Sequence, residues 1–446
     1  MLNYIWLAFL LIAVLVGGFT GKLPEMTKGA FETAETAVMK IALPLVGVMA
    51  IWLGIMRLAE RSGLVQLLAR ALRPLMTRLF PDVPADHPAM GAMLMNMAAN
   101  MLGLGNAATP LGLRAMSLLE KLNPRPGVAS NAMCTFLAIN TASIQLIPTT
   151  AIGLLAIAGS KNPTAIVPSA FLATCIGACS GVLAAKLLER LPMFRLAPME
   201  SKAADNSATP EELAIEQIAV PPLNAWKQTA LALFVAAFAW MFVMLACPDF
   251  AARFVRLPPN PAELEGKSAT IRTLFAVSIL AVPFLLSFFP LYAALRGVKV
   301  YEQFVEGAKE AFAVGQRIVP FLVAMLVSIS LLRNAGVIAL VTAKFARIFN
   351  AIHFPADLLP LVLMRPLSGS ATQGIFVELI NHLGPDSLVS RMAATIYGST
   401  ETTFYVIAVY FGSVAIRQTR HAVLAGLIAD TVAVIASVAI CRVLFG

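Results

Sequence analysis

The amino-acid sequence predicts an all-α integral membrane protein built from two inverted-topology repeats, each with a re-entrant helical hairpin and a broken transmembrane helix. Three observations predict it. Of the 446 residues, 59% are hydrophobic and only 13% charged, a balance that no ordinary water-soluble domain needs to fill its core. Apolar runs of about 20 residues, enough to cross a bilayer core, recur along the chain. Two further stretches are apolar at both ends but broken in the middle by Gly, Pro and hydroxyl or amide residues. Backbone broken at membrane depth is tolerated only where it is buried in protein or lines water.

In chain order, apolar runs near 2–19, 39–57, 130–157 and 165–188 read as spans. The first, Leu2 to Phe19, lacks the basic n-region and small-x-small cleavage site of a signal peptide and is read as a helix. Residues 190–225 hold Pro192, Pro198, Pro210, Pro221 and Pro222 with Glu211, Glu212 and Glu216, the composition of an extramembrane linker. Further spans follow near 227–247, 272–294, 316–332, 390–415 and 421–443. The predicted division is 1–190 as first repeat, 191–225 as linker, 226–250 as connecting transmembrane helix and 251–446 as second repeat.

The two broken stretches, 90–118 and 356–382, reveal the repeat. LGNAAT (Leu104 to Thr109) matches LSGSAT (Leu367 to Thr372). Ahead of each lies a basic amphipathic stretch, Ser62 to Phe80 and Asn334 to Phe349. Ahead of that comes a helix with a central proline, Pro44 or Pro320, that ends in Arg57 or Arg333. Downstream, SNAMCTFLAINTASIQLIP (from Ser130) aligns without gaps on SRMAATIYGSTETTFYVIA (from Ser390), so Asn140, Thr141 and Ser143 fall opposite Thr400, Glu401 and Thr403. One extra helix between halves of even crossing number inverts the second half, the plan of many secondary transporters.

The net charge of +9 comes from Lys and Arg scattered over inter-helix loops. That pattern fits juxtamembrane basic residues better than a nucleic-acid face, and the expected partner is the lipid bilayer. The loops holding Arg61, Arg70, Arg73, Arg78, Arg190, Arg195, Lys202, Arg296, Lys299, Arg417 and Arg420 share one side, read as cytoplasmic. Cys175 and Cys179, an i, i+4 pair, read as part of a small-residue packing stripe, since no His accompanies them. Glu378 and His382 form another i, i+4 pair and read as interfacial capping residues. No catalytic set and no metal site is expected, and no P-loop, GxSxG or HExxH stands in usable context.

Candidate binding residues come from polarity out of place. YGSTETTFY (Tyr397 to Tyr405) puts Ser399, Thr400, Glu401, Thr402 and Thr403 in an otherwise apolar segment. A carboxylate near a bilayer centre costs at least a few kcal/mol and marks a substrate or ion path by default. Glu401, Thr400, Thr402 and Ser399 therefore form one half-site; Asn140, Thr141, Ser143 and Gln145, ahead of Pro148, form the matching one. The alternatives are a helix-locking pair of Glu401 with Arg365 or Arg114, and plain interhelical hydrogen bonding. At the hairpin tips, Asn106, Thr109, Ser368, Ser370, Thr372 and Gln373 suit either ligand binding at a half-helix N-terminus or turn chemistry. Asp430, in the last span, reads as a packing residue or a second proton site.

These residues carry a resemblance. LGLGNAATPLGLRAMSLLEKLNP with INTASIQLIPTT resembles spore maturation protein A, and RPLSGSATQGIFVELINHLGPDS with YGSTETTFYVIAVYFGSV resembles spore maturation protein B. The chain is thus similar to a fusion of the two, each with a nucleoside-recognition or gate domain. More distantly, a hairpin followed by a TET-containing broken helix is similar to concentrative nucleoside transporters, which implies a substrate or ion site at Thr400, Glu401 and Thr402. In the first half the TET is replaced by Asn140, Thr141 and Ala142. The expected function is a multi-pass transporter-like protein of the bacterial inner membrane. It moves or binds a small polar solute, nucleoside-like in one version, at the repeat interface. A scaffold or assembly factor is the alternative, and an enzyme is not expected. No cofactor is expected beyond a coupling Na+ or H+, and a homo-oligomer is admitted as partner.

Overall fold

The computed structural model of the chain describes residues 2–103, 105–195, 223–254, 268–337 and 354–446. Most of the expected linker, from residue 196 to 222, and the second amphipathic stretch from residue 338 on lie outside the described residues. The first half runs α1 (Leu2–Phe19), α2 (Leu23–Glu35), α3 (Leu43–Arg61), α4 (Leu64–Leu79), α5 (Pro88–Leu102), α6 (Gly105–Lys121), α7 (Asn131–Ala142), α8 (Thr149–Ile157) and α9 (Ile166–Leu188). After α10 (Ala225–Ala246) come α11 (Ala269–Leu295), α12 (Val300–Asn334), α13 (Leu359–Met364), α14 (Gly369–Leu383), α15 (Leu388–Ser399), α16 (Thr403–Ser413) and α17 (Ala422–Phe445). The described regular structure is helical, and its β-type contact is an isolated bridge, Val128 to Gln418.

The chain is a multi-pass membrane protein. Among the described residues, five stretches are long and apolar enough to cross a bilayer: Leu23–Arg61, Pro163–Leu188, Ala225–Ala246, Ala269–Leu295 and Ala422–Phe445. Large apolar side chains such as Phe19, Phe31, Phe312 and Val443 are 71–92% exposed, the surface expected where lipid replaces water.

Two spans differ from their sequence reading, and proline is the cause of both differences. The run expected at 39–57 belongs to one helical stretch from Leu23 to Arg61 that contains a π-turn at Thr36–Ala42. Pro44 has no N–H for the Lys40 carbonyl, and a widened turn just before it absorbs the missing bond. The run expected at 316–332 is the distal part of α12, which starts at Val300 and bends by 40° between Gln316 and Ile318. Pro320 likewise leaves the Gln316 carbonyl without its donor.

The halves interlock reciprocally. Helix α3 packs on α12 and α9 on α17, while α7 lies on α17 and α15 on α9. The α9–α17 approach is close because both faces are small. A Cβ built on Gly177 would stand 2.9 Å from the Ala433 Cβ, and one on Gly181 2.9 Å from the Ala429 Cβ. In lipid, where no hydrophobic force draws helices together, small residues permit the contact that dispersion needs. This corrects the cysteine reading: Cys175 is half-buried and Cys179 exposed, so the packing stripe is Thr174, Gly177, Ala178 and Gly181, on the adjacent face.

Candidate functional site

The polar run at 399–403 breaks its helix. Ser and Thr side chains compete with the backbone for hydrogen bonds and hold helical conformation weakly; α15 stops at Ser399, and Thr400 is extended at φ −134°, ψ 162°. In the other half α7 stops at Ala142, Ser143 turns left-handed at φ +42°, and α8 starts after Pro148. The two breaks meet. The Glu401 N–H donates to the Thr141 carbonyl at 3.0 Å, one of the last carbonyls of α7 that no helical N–H can reach. Thr141 and Glu401 are also the residues that align between the two halves.

Arg365, buried just ahead of the second hairpin turn, closes the C-terminal end of α15. Its Nε donates to the Thr400 Oγ1 at 2.9 Å, and its Nη2 to the carbonyls of Tyr397, at 3.0 Å, and Thr400. The guanidinium lies 4.8 Å over the Tyr397 ring. A fixed cation with forked donors thus sits where α15 ends in unpaired carbonyls and partial negative charge. The sequence offers Arg365 or Arg114 as an ion partner for Glu401; the Arg365 guanidinium is engaged on these acceptors instead. The Glu401 Oε2 accepts the Thr402 N–H at 3.2 Å, at the positive N-terminal end of α16. Among the described residues Glu401 is half-buried and in no ion pair.

The other predicted residues divide. Asn140 accepts the Asn100 amide at 2.9 Å and the Tyr410 hydroxyl at 3.4 Å, and the Asn96 amide reaches the Ala108 carbonyl at 2.8 Å and the same hydroxyl at 3.4 Å. This chain of amides ties the first hairpin to α7 and α16. Asn96 was missed by the sequence reading, although its i, i+4 relation to Asn100 placed both on one helix face. Tyr410 carried no such signal, and it depends on Gly112, where a Cβ would come within 2.3 Å of its ring. Ser143 accepts the Gln145 amide at 3.3 Å, while the Ala142 and Ser143 carbonyls receive the Thr174 hydroxyl at 2.8 and 3.0 Å. Ser399 turns away from the seam, bonding Ser437 at 3.2 Å.

At the second hairpin, Ser368 caps α14 by accepting the Ala371 N–H at 3.2 Å, and Thr372 donates back to the Ser368 carbonyl at 2.7 Å. Both take part in local capping of α14. Ser370 is half-buried; Gln373 is buried with its Nε2 unpartnered among the described residues. Each hairpin is joined to the break of its own half, Phe404 N–H to the Pro366 carbonyl at 3.0 Å and Leu146 N–H to the Met101 carbonyl at 3.0 Å. Thr109 is half-buried; Leu104 and the side chain of Asn106 lie outside the described residues. Glu378, read as a capping residue, instead pairs with Arg333 at 2.5 Å. A cavity of about 120 Å³ between α3, the first hairpin turn at Gly103 and the start of α8 is lined by Trp52, Met56, Thr149 and Thr150.

Comparison with known proteins adds the lineage. A family model described as "Gate: Nucleoside recognition" matches residues 42–158 and 316–417. Spore maturation protein A of Bacillus subtilis (strain 168) is 44% identical over 183 residues, 41% of this chain and 93% of that protein. Spore maturation protein B of the same organism is 41% identical over 170 residues, 38% of this chain and 96% of that protein. The chain belongs to the spore maturation protein family. In this family member the two Gate matches run from α3 to α8 and from distal α12 to just past α16, so the helix breaks that meet at Thr141 and Glu401 lie one in each match. The solved YdaH transporter of Alcanivorax borkumensis is 15% identical, with a TM-score of 0.46 over 99% of this chain and 96% of that one.

Proposed function

We propose that this spore maturation family protein is a secondary transporter of the bacterial cytoplasmic membrane that binds a small polar solute, nucleoside-like in its hydrogen-bonding groups, at the seam of two inverted repeats, 1–190 and 251–446. The observation that carries this reading is the Glu401 to Thr141 hydrogen bond of 3.0 Å: two broken helices meet at equivalent residues, with a carboxylate beside the joint. Glu401 accepts hydroxyl or amino protons of the solute, and the amides of Asn100 and Asn140 supply neutral donors and acceptors opposite. Thr402, against which Gly369 packs, links the second hairpin to the break, so movement of that hairpin opens or closes one side. The reciprocal packing of the halves supports a two-fold relation between them, the plan on which many secondary transporters alternate access.

The test is uptake into liposomes containing the purified full-length chain, with a panel of labelled nucleosides and other small polar solutes. The reading expects flux of at least one solute, lowered about tenfold or more in Glu401→Gln, equivalent to a loss of about 1.4 kcal/mol or more in transition-state stabilisation. A scaffold moves nothing, whichever solute is loaded. Unchanged flux in Glu401→Gln moves the binding site elsewhere.

A further inference from the structure

One buried carboxylate has no place in the solute site just described. Asp430, in the first half of α17, is only 5% exposed. Its Oδ2 accepts the Thr403 hydroxyl, while its Oδ1 is buried with no hydrogen-bond partner among the described residues. The charged groups that act on it are Arg365 and Glu401. Elsewhere, the elements packed on α17 present Gly177, Gly181 and Ala138 near Ala429, and Thr141 with Thr403 around Gly426, none of them ionisable.

Arg365 contributes one positive charge, which cannot be given up. Glu401 and Asp430 contribute two negative charges when both are ionised, so these three groups together carry one net negative charge. An uncompensated buried ion is costly and, in lipid, more costly still. A monovalent cation removes the imbalance; a divalent one would reverse it.

We propose that Asp430 and Glu401 together hold one monovalent cation, a proton or a sodium ion, in the seam, taken up at the unpartnered Oδ1 of Asp430. Solute movement is then coupled to this cation, because Glu401 belongs to both sites and Thr403, the first residue of α16, is bonded to Asp430. The coupling rests on the transporter reading. The cation site itself does not.

The test uses the purified full-length protein in detergent and two readouts. Infrared spectroscopy at neutral pH reports a protonated buried carboxyl; thermal unfolding with sodium chloride exchanged for choline chloride at constant ionic strength reports sodium. The expected result is one of the two signals in the wild type, and its loss in Asp430→Asn. The same loss is expected in Glu401→Gln, because with one carboxylate removed Arg365 alone balances the other. Thr403→Val, which deletes the hydroxyl on Asp430, shifts the carboxyl band or weakens the sodium response, and decides the matter if Asp430→Asn does not fold. Absence of both signals in the wild type, their survival in Asp430→Asn or in Glu401→Gln, or no effect of Thr403→Val overturns the proposal. Neither readout involves flux. A cation signal without solute transport overturns the transporter reading alone, and transport without either signal overturns the cation site alone.

Discussion

At Arg365 one side chain supplies the donors that the broken helix has lost. Arg365→Leu leaves the part-buried carbonyl of Tyr397 and the buried one of Thr400 without these hydrogen bonds, and an unsatisfied buried polar group costs about 1–3 kcal/mol. We expect a clear fall in the thermal midpoint in detergent, with Arg365→Lys recovering only part of it, since an ammonium lacks the planar fork. A second residue ties stability to pH. His421, fully buried just ahead of α17, has both ring nitrogens without hydrogen-bond partners among the described residues and packs edge-on against Phe194. Burial, followed by the charges of Arg420 and Lys186, lowers its pKa from 6.5 to about 4. Between those values the unfolded chain binds the proton and the folded one does not, so the stability present above pH 6.5 is lost as pH falls toward about 4. Thermal melts from neutral to acid pH should show this slope in the wild type, and His421→Leu should flatten it. Glu401 was legible in the sequence because a carboxylate in an apolar run needs an explanation. Tyr410 was not, because a tyrosine in a membrane helix needs none; only the fold brings its hydroxyl to Asn140.

Among the elements, α9 and α17 approach closely through glycine and alanine. A leucine at Gly181 must displace the Ala429 Cβ, 2.9 Å from the new Cβ, or the Ala138 carbonyl oxygen, 3.4 Å away. Overpacking of this kind costs about 1–3 kcal/mol. Gly181→Leu is expected to lower the thermal midpoint and to separate cysteines engineered across α9 and α17, measured as lost disulfide crosslinking; Gly18→Leu, where an added Cβ meets nothing within 4 Å, serves as the control. Pro44 and Pro320 were visible as interruptions, yet the π-turn before one and the 40° bend before the other were not. A proline removes one hydrogen bond, and packing selects how the helix absorbs the loss.

Across the whole molecule, the most extensive helix packing among the described residues runs between the halves: α3 on α12 and α9 on α17. Spore maturation proteins A and B are separate chains that match 41% and 38% of this one. If the halves recognise each other through these faces, the covalent link between them is dispensable. Residues 1–195 and 223–446 co-expressed as two polypeptides should co-purify in detergent, and Gly181→Leu in the first should weaken the association. Separate elution of the two pieces would assign the joining of the halves to the segment between them.

The sequence alone determined the membrane class, the two hairpins, the alignment of Thr141 with Glu401 and the oddity of a carboxylate in an apolar run. Each is a matter of composition or local spacing, and hydropathy, helix breakers and repeated motifs act over a few residues at a time. Only the tertiary structure decided that Arg365 holds α15 and not Glu401, that Thr403 turns to Asp430, and that the two helix breaks touch. Those outcomes depend on which free carbonyl lies within about 3 Å of which donor, a distance set by the packing of helices far apart in the chain.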